Sequence, residues 1–500
     1  MEQFAAIDLG SNSFHLVVAR EEEHAVSVID RERDMVRLAA GLDEKSLLTP
    51  EASKRALGCL ARFGERLRGL EPENVRVVGT NALRKAKNSQ QFIRRAEKLL
   101  GFPIEIISGV EEARLVYIGA AHTLQGDRGR RLVVDIGGGS TEIIVGDKSD
   151  PIYLESLYMG CVSSSEKFFP RGKTSEKRMR RAILAARLEL EPYTIMVDLL
   201  APQDIIGTSG TARAIENVLR ENGWSETGIT RKGLEKLVKK IIKKGKARRL
   251  RFAGLSEERR PVFAGGVAVM TAIFRAFDLD FMRVSEGSLR EGALYDLIGR
   301  VRYEDRRAIT VRELMKRHHI DVEQANRVRE TTLMLFDQVK QRGLLRRERR
   351  LLGWAAKLHE IGLMIAHSQH HMHGGYVLQN MDLPGFSRQE QGALAIMVRL
   401  HRRKFQPDLI EDSAYVRSEA LNLMTRLLRL GVLLNRGRTP IELPPAEIQL
   451  DETLGMILSI PKAWLSAHPL TGADLDQEVE LLRAAGYELR VAKTRAPSSS

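Results

Sequence analysis

The sequence predicts an α/β fold of two related domains, followed by an all-α domain and a small α+β domain. Three observations support this prediction: a short motif occurs twice, strands alternate with helices after each copy, and the pattern then becomes purely helical. The chain has 500 residues, which is too long for one hydrophobic core because single cores stop growing at about 250–300 residues.

The repeated motif is the clearest local feature. Residues 8–19 read DLGSNSFHLVVA and residues 135–146 read DIGGGSTEIIVG, each after an apolar run. This pattern predicts a strand, a tight turn and a second strand. Because the two copies occupy equivalent places, we interpret them as the first hairpins of two related domains.

Alternating elements follow each hairpin, and a helical region comes next. The predicted elements are strands at 25–30, 75–80, 104–108 and 204–210, helices at 50–70, 82–100, 110–124, 211–222 and 231–246, a strand, turn and helix at 281–299, long helices including 322–343 and 349–366, a Pro-rich linker at 439–445, and short strands around one helix after it. The predicted domains are therefore 1–124, 125–302, 303–438 and 439–500.

Composition limits the compartment. Two cysteines cannot form a disulfide framework, which indicates a reducing environment. No signal peptide and no apolar run of transmembrane length is visible, so we expect a cytoplasmic protein.

The net charge of +14 favours a polyanionic partner. The aromatic fraction is only 5% and no nucleic-acid-binding motif is present, so we expect no specific nucleic acid. The basic run at 239–251 is most simply a solvated face. A second interpretation is that it attracts polyphosphate or anionic lipid, which leaves open a peripheral contact with the inner face of the cell membrane.

Both hairpin turns have the composition of a phosphate-binding site. Small residues let backbone N–H groups approach an anion, hydroxyls add donors, and an Asp at the start of the turn can hold a metal ion. The alternative is that these residues only form good turns. The candidates are Asp8, Ser11, Asn12 and Ser13 in the first turn, and Asp135, Gly137, Gly138, Gly139, Ser140, Thr141 and Glu142 in the second.

Two further segments are predicted to reach the same anion. GTSGTARAI at 207–215 leads from a strand into a helix, so Ser209, Gly210 and Thr211 are candidate phosphate ligands at a helix start. An ordinary capped helix is the alternative. Arg84 follows a strand end and is a candidate clamp for phosphate oxygens. Arg290, in SEGSLREG, is predicted either to line the cleft or to pack.

A general base is predicted near the start of the helix at 110–124. Ser108 and Glu111 fit a capping box, so Glu111 is interpreted as structural. Glu112 points elsewhere and can deprotonate a water that attacks the terminal phosphorus. No Ser-His-Asp or Cys-His pattern is evident, which favours direct attack by water.

Together these motifs resemble the exopolyphosphatase and guanosine-pentaphosphate phosphohydrolase family. The matching segments, in order, are IDLGSNSFHLVV, VVGTNALRKAKN, SGVEEARL, VVDIGGGSTE, MGCVSSSEKFFP, IGTSGTA, SEGSLREG, LHEIG and LQNMDLPGF. The resemblance implies two actin-like (ribonuclease-H-like) domains, an HD-like helical domain, a small C-terminal domain, a homodimer, and Mg²⁺-dependent processive hydrolysis. It places the catalytic glutamate on Glu112 and the metal- and water-organising acids on Asp135 and Glu142.

Two substrates compete within this resemblance. The three glycines of IGGGSTE and the segment HSQHHMHGGYVLQN look more like enzymes that prefer inorganic polyphosphate, and the net charge suits that polymer. We therefore expect an exopolyphosphatase. The alternative is a 5′-phosphohydrolase acting on guanosine pentaphosphate.

The helical domain departs from the HD metal pattern, since the doublet is His359-Glu360 rather than His-Asp. One interpretation is a degenerate scaffold in which Arg402, Arg403 and Lys404 line a polyanion path. The other is a metal site among the nearby histidines, which are His367, His370, His371 and His373.

Overall fold

The structure is a computed structural model that describes residues 2–22, 25–124, 129–302, 304–339, 344–415, 417–438, 446–451 and 455–494. The chain forms two compact units, Met1–Glu304 and Asp305–Ser500. The predicted linker at 439–445 lies outside the described residues. Among the helices that are described, none is long and apolar enough to cross a membrane.

The first unit contains two sheets and the helices that cover them. Its strands are β1 Gln3–Leu9, β2 Phe14–Glu22, β3 Ala25–Asp34, β4 Val75–Gly79, β5 Ile104–Ile106, β6 Arg131–Ile136, β7 Thr141–Asp147, β8 Asp150–Leu157, β9 Asp204–Thr208, β10 Ile229–Thr230 and β11 Phe281–Val284. Its helices are α1 Pro50–Arg66, α2 Asn81–Lys85, α3 Ser89–Leu100, α4 Gly109–Thr123, α5 Cys161–Phe168, α6 Glu176–Leu190, α7 Thr194–Leu200, α8 Ser209–Glu221, α9 Arg231–Lys244, α10 Arg260–Ala276 and α11 Leu289–Arg302.

The two sheets share one topology. The first has the order β3-β2-β1-β4-β5, and the second has the order β10-β11-β9-β6-β7-β8. β1 and β6 each pair antiparallel with the next strand of their hairpin and parallel with the following strand of the sheet. Read from the hairpin outward, β8-β7-β6-β9-β11 repeats the order of the first sheet. This repetition confirms the duplicated hairpin unit predicted from the sequence.

Helices α4 and α11 pack between the two sheets at very short range. A Cβ atom at Gly119 would lie 2.0 Å from the Ser288 carbonyl oxygen, and one at Gly292 would lie 1.7 Å from that of Leu115. Only glycine permits this approach, because a side chain at either position would overlap backbone atoms. One hydrophobic cluster joins α4 and α11 to β1 and β6, and so fixes the start of each helix relative to the hairpins.

The prediction of one helix over 82–100 was wrong. The helix is divided into α2 and α3 because the Asn88 side chain bonds the backbone of a distant residue. Its Oδ1 accepts from the Leu48 N–H at 2.8 Å, and its Nδ2 donates to the Leu48 carbonyl at 3.1 Å. This contact fixes the chain outside helical geometry between the two segments.

The second unit combines helices with a three-stranded sheet. Its helices are α12 Arg306–Arg317, α13 Val322–Val339, α14 Arg346–Leu358, α15 His370–Asn380, α16 Arg388–Leu400, α17 Asp408–Glu411, α18 Ser418–Leu434, α19 Lys462–Ala467 and α20 Pro469–Arg483. Its strands are β12 Glu447–Leu450, β13 Met456–Pro461 and β14 Leu489–Thr494, in the order β12-β13-β14. Helices and sheet share one hydrophobic core, which includes Leu427, Leu458 and Leu482.

The single helix predicted at 349–366 was also wrong. α14 ends at Leu358, and a separate 3₁₀ turn covers Ile361–Met364. Gly362 in this turn packs directly on α15, since a Cβ atom there would lie 2.0 Å from the His370 carbonyl oxygen. The chain therefore turns at His359-Glu360 to make this contact.

Candidate active site

The two hairpin turns lie against each other. A Cβ atom at Gly138 in the second turn would be 3.1 Å from the Ser11 Cβ in the first. A Cβ atom at Gly139 would be 2.8 Å from the Oδ1 atom of Asn81, the first residue of α2. The glycines thus allow two turns and a helix start to meet, and this meeting point is where a phosphate was predicted to bind.

The start of α8 joins the same site. Thr208 Oγ1 donates a hydrogen bond to Asp135 Oδ2 at 2.5 Å, and Ser209 Oγ donates to the Ile136 carbonyl at 3.1 Å. Ser209 has a left-handed backbone conformation with φ 77°, which is uncommon for a residue other than glycine and typical of ligand sites. These bonds attach the β9–α8 junction to the end of β6.

The remaining candidate ligands lie on the turns, but some of their hydroxyls already have partners. Thr141 is fully buried and donates to the Met159 carbonyl at 2.6 Å. Ser13 Oγ is 2.7 Å from His15 Nε2. Ser11 and Ser140 are both largely buried. Asn12 accepts a backbone hydrogen bond from the Arg37 N–H at 2.8 Å, which anchors the first turn.

Four carboxyl groups meet beside these turns: Asp8, Glu112, Asp135 and Glu142. Burial raises the pKa of each one. Repulsion from Glu112 and Asp135 raises the pKa of Asp8 and of Glu142 further. Such a concentration of buried acids is costly unless cations or donors offset it, and it is typical of catalytic sites.

Most of these carboxylates have specific donors. Asp135 Oδ2 accepts a second bond, from Ser288 Oγ, at 2.8 Å. Glu142 Oε1 accepts from Ser156 Oγ at 2.9 Å. Asp8 Oδ1 and Glu112 Oε2 are shielded from solvent and have no hydrogen-bond partner in the part of the chain that the structure describes, although Glu112 Oε2 lies within ion-pair distance of Arg84. A buried acceptor without a donor suits a ligand that brings positive charge.

The carboxylate oxygens of this site are ligands of the kind that divalent metal ions take. Within the described ranges, no three His, Cys, Asp or Glu side chains converge closely enough to form a metal cage. Magnesium rarely uses such a cage, since it usually takes one or two carboxylates together with waters and substrate phosphates. The Asp8 oxygen without a hydrogen-bond partner, with Asp135 near it, supplies a donor of this type.

Glu112 is held by an arginine from α2. Arg84 Nη1 lies 2.8 Å from Glu112 Oε2 and donates to the Ile107 carbonyl at 2.9 Å. The neighbouring Glu111 accepts from Arg114 Nε at 2.7 Å, and its own N–H donates to Ser108 Oγ at 3.1 Å. These contacts confirm the structural role predicted for Glu111 and leave Glu112 directed toward the other carboxylates.

A strongly basic cavity of about 420 Å³ lies beside the first turn and α8. His15 and Gly210 are part of its wall. Burial, together with the charges of Arg290 and other arginines, lowers the pKa of His15 to about 3, so its imidazole is neutral near pH 7. Five arginines line the cavity: Arg31, Arg33, Arg213, Arg259 and Arg290.

Gly210 makes room for one of these arginines. A Cβ atom at Gly210 would lie only 1.7 Å from Arg259 Nη2. Burial lowers the pKa of both Arg259 and Arg213, which indicates guanidinium groups partly removed from water. Of the five arginines, only Arg290 was identified from the sequence. The only other indication of a basic cavity in the sequence was its excess of positive charge.

In the second unit, the histidines that lie close together are not the same set as the one predicted. The His359 and His401 ring centres are 5.4 Å apart, and those of His370 and His401 are 5.6 Å apart. His371 joins this group. As they are placed among the described residues, these rings do not form a three-ligand metal site.

Family models match most of the chain. The Ppx/GppA phosphatase family matches residues 17–301, and domain III of Ppx/GppA phosphatases matches residues 306–479. Relatives from Aeromonas hydrophila and Vibrio cholerae are each 38% identical over 490 residues, covering 98% of this chain and of the relative. Both are named guanosine-5′-triphosphate,3′-diphosphate pyrophosphatase.

Solved structures share the fold over part of the chain. A Ppx/GppA family member from Aquifex aeolicus is 25% identical with a TM-score of 0.52, and covers 61% of this chain and 99% of its own. An exopolyphosphatase from Cytophaga hutchinsonii is 26% identical with a TM-score of 0.55, and covers 60% and 98% respectively.

Proposed function

Since this chain belongs to the Ppx/GppA phosphatase family, we propose that it hydrolyses the terminal 5′-phosphate of guanosine pentaphosphate. The observation that carries this proposal is the arginine-lined cavity beside the paired phosphate turns. Relatives that match nearly the whole chain are named for this nucleotide, which supports the same substrate.

The cavity suits a nucleotide with phosphates at two positions. With the terminal 5′-phosphate at the turns, the nucleoside and its 3′-diphosphate need an adjoining space of positive charge. A volume of about 420 Å³ is within the usual range for small-molecule sites. Guanidinium groups bind phosphate oxygens in bidentate fashion, and partial burial strengthens that contact.

The reaction would use water as the nucleophile. In this proposal, Glu112 orients a water molecule and accepts its proton as the oxygen attacks the terminal phosphorus. Backbone N–H groups of the turns around Gly10 and Gly138 would bind the phosphoryl oxygens where negative charge develops. Thr208 and Ser288 hold the Asp135 carboxylate in place through hydrogen bonds of 2.5 and 2.8 Å.

One or two of the carboxylates Asp8, Asp135 and Glu142 would hold a magnesium ion, together with waters and substrate phosphates. When bound, the ion would neutralise charge on the phosphoryl oxygens and on the leaving group. The homodimer implied by the family resemblance stays a prediction, as does the identity of the metal.

Exopolyphosphatase activity is the second candidate, and the sequence alone favoured it. The net charge of +14 suits a phosphate polymer, and the likeness to an exopolyphosphatase structure supports the same activity. The relatives that match nearly the whole chain give more support to the nucleotide. The two reactions would use the same turns and the same base, and would differ in what the arginine cavity binds.

The test compares phosphate release from guanosine pentaphosphate and from long-chain polyphosphate, with Arg213→Gln as the cavity variant. We expect the larger kcat/KM for the nucleotide, and a KM for the nucleotide about tenfold higher in the variant, from loss of one charge-assisted contact. Arg248→Gln removes the same charge from an exposed position and should change neither value. A larger kcat/KM for polyphosphate would move the assignment to the second candidate.

A further inference from the structure

We propose that Arg84 is a positioning residue that acts through Glu112, rather than a clamp on the substrate phosphate. This inference rests on the proposed hydrolysis, because it concerns the residue that would activate the water. It replaces the sequence-based interpretation of Arg84 as a phosphate ligand.

The geometry of one guanidinium nitrogen supports the inference. Arg84 Nη1 contacts both Glu112 Oε2 at 2.8 Å and the Ile107 carbonyl at 2.9 Å. Nη1 donates a hydrogen bond to the Ile107 carbonyl and lies at ion-pair distance from the Glu112 carboxylate. Both acceptors belong to the protein itself, so this nitrogen is oriented by the proposed base and by the backbone before its helix.

The pair is also well shielded. The Arg84 side chain is 9% exposed and that of Glu112 is 11% exposed. Removing one partner of such a pair leaves an uncompensated charge in a site from which water is excluded. Glu112 has special need of its partner, because Asp135 adds negative charge on its other side.

The second acceptor of Arg84 Nη1, the Ile107 carbonyl, explains how the Glu112 carboxylate is oriented. Ile107 directly precedes Ser108, which caps the N-terminus of the helix that carries Glu112. Arg84 belongs to α2, which begins at the Asn81 that Gly139 approaches. The Arg84 guanidinium therefore connects Glu112 to the backbone just before α4. It also connects Glu112 to α2, the helix that begins beside the second phosphate turn.

The test separates positioning from phosphate binding by kinetics. Arg84→Met should lower kcat by about 10²-fold, the loss typical of a misplaced catalytic group, with KM nearly unchanged. Arg84→Lys should recover part of kcat, since an ammonium group can still pair with the carboxylate. Lys85→Met changes the exposed neighbour and should leave both constants unaltered.

A double-mutant cycle tests whether Arg84 acts through Glu112. In a Glu112→Gln background, Arg84→Met should cause no further loss of kcat, and the Kd for guanosine pentaphosphate, measured by calorimetry, should stay the same. A raised KM with unchanged kcat, or losses that add in the double variant, would overturn the inference while leaving the proposed hydrolysis intact. Full activity in Glu112→Gln alone would remove Glu112 as the base, and the inference with it, while the hydrolysis itself would stand.

If Arg84→Met does not fold, the same double-mutant cycle with Glu112→Gln is measured with Arg84→Lys instead. Thermal unfolding of each variant identifies that case before any kinetics are interpreted. A loss of kcat in Arg84→Lys that persists equally in the Glu112→Gln background would also overturn the inference.

Discussion

Arg84 and Glu112 form a nearly buried ion pair, with 2.8 Å between Nη1 and Oε2. Burial raises the pKa of Glu112, and the Arg84 charge opposes that effect. A general base must be deprotonated to act, so this pair links the position of the carboxylate to its ionisation.

The first prediction concerns the acid limb of the rate profile. Arg84→Met removes the cation that lowers the pKa of Glu112, so the base becomes protonated at a higher pH. The acid limb of kcat should therefore move toward higher pH, and Arg84→Lys should move it less. Rates measured across mildly acidic to neutral pH provide the check. An unchanged limb in Arg84→Met would show that Glu112 is not the titrating base.

The second prediction concerns the space that Gly210 leaves for Arg259. Gly210→Ala places a methyl group where the guanidinium lies, so the Arg259 guanidinium must shift from its position in the cavity wall. The KM for guanosine pentaphosphate should rise about tenfold, from loss of one charge-assisted hydrogen bond. Gly58→Ala is the matched control, because no atom lies within 4 Å of the added Cβ, and it should have no effect. Equal kinetics for the two variants would contradict a role for Arg259 in binding.

The third prediction concerns the buried ion network that supports α4. Asp296 pairs with Arg76, Arg114 and Arg300, and the Arg114 and Arg76 charges outweigh burial and hold its pKa well below the usual range. Asp296→Asn should lower the free energy of unfolding by about 3–5 kcal/mol, because the arginines lose a buried counter-charge.

The control for this network is Asp278→Asn. Asp278 pairs with Arg231 at 2.7 Å, but its side chain is 94% exposed, so the loss should be at most about 1 kcal/mol. Urea unfolding measures both variants. Similar losses at the two positions would show that the buried network contributes little to stability.

The fourth prediction concerns acid stability of the second unit. Burial lowers the pKa of His359 to about 4 and that of His401 well below its ordinary value. In the unfolded chain these imidazoles have the ordinary histidine pKa of about 6.5. As the pH falls from about 6.5 to about 4, the unfolded chain therefore binds protons that the folded chain does not bind. Stability is therefore fully present above that window and falls through it, with a slope of up to about 3 kcal/mol per pH unit for two protons.

Urea unfolding at several pH values tests this behaviour. His401→Asn should flatten the acid slope, because one of the buried imidazoles of this unit is gone. His367→Gln changes an exposed histidine of the same unit and should leave the slope as it is. A stability that stays constant from pH 6.5 to pH 4 would contradict the prediction.

The sequence revealed features that depend on neighbours along the chain. The two hairpins were predictable because Asp8 and Asp135 each begin a contiguous turn motif between apolar runs. The shared sheet order followed from that repeat. The bonds that interrupt the helix at Asn88 were not predictable, because Leu48 lies far away in the chain.

The arginine cavity was missed for the same reason. Its arginines come from β3, from α8, from the residue before α10 and from α11, and no local spacing connects them. The partner of Arg84 was missed because an arginine after a strand suits either a phosphate or a carboxylate. Only the fold shows that Glu112 lies within reach.

The most direct test of the central claim is phosphate release from guanosine pentaphosphate by the wild type and by Glu112→Gln, with Mg²⁺ present. We predict that kcat falls by at least about 10²-fold in the variant, as expected for loss of a general base, while the nucleotide still binds. Undiminished kcat in Glu112→Gln, with the protein folded, would contradict the claim that this carboxylate activates the attacking water.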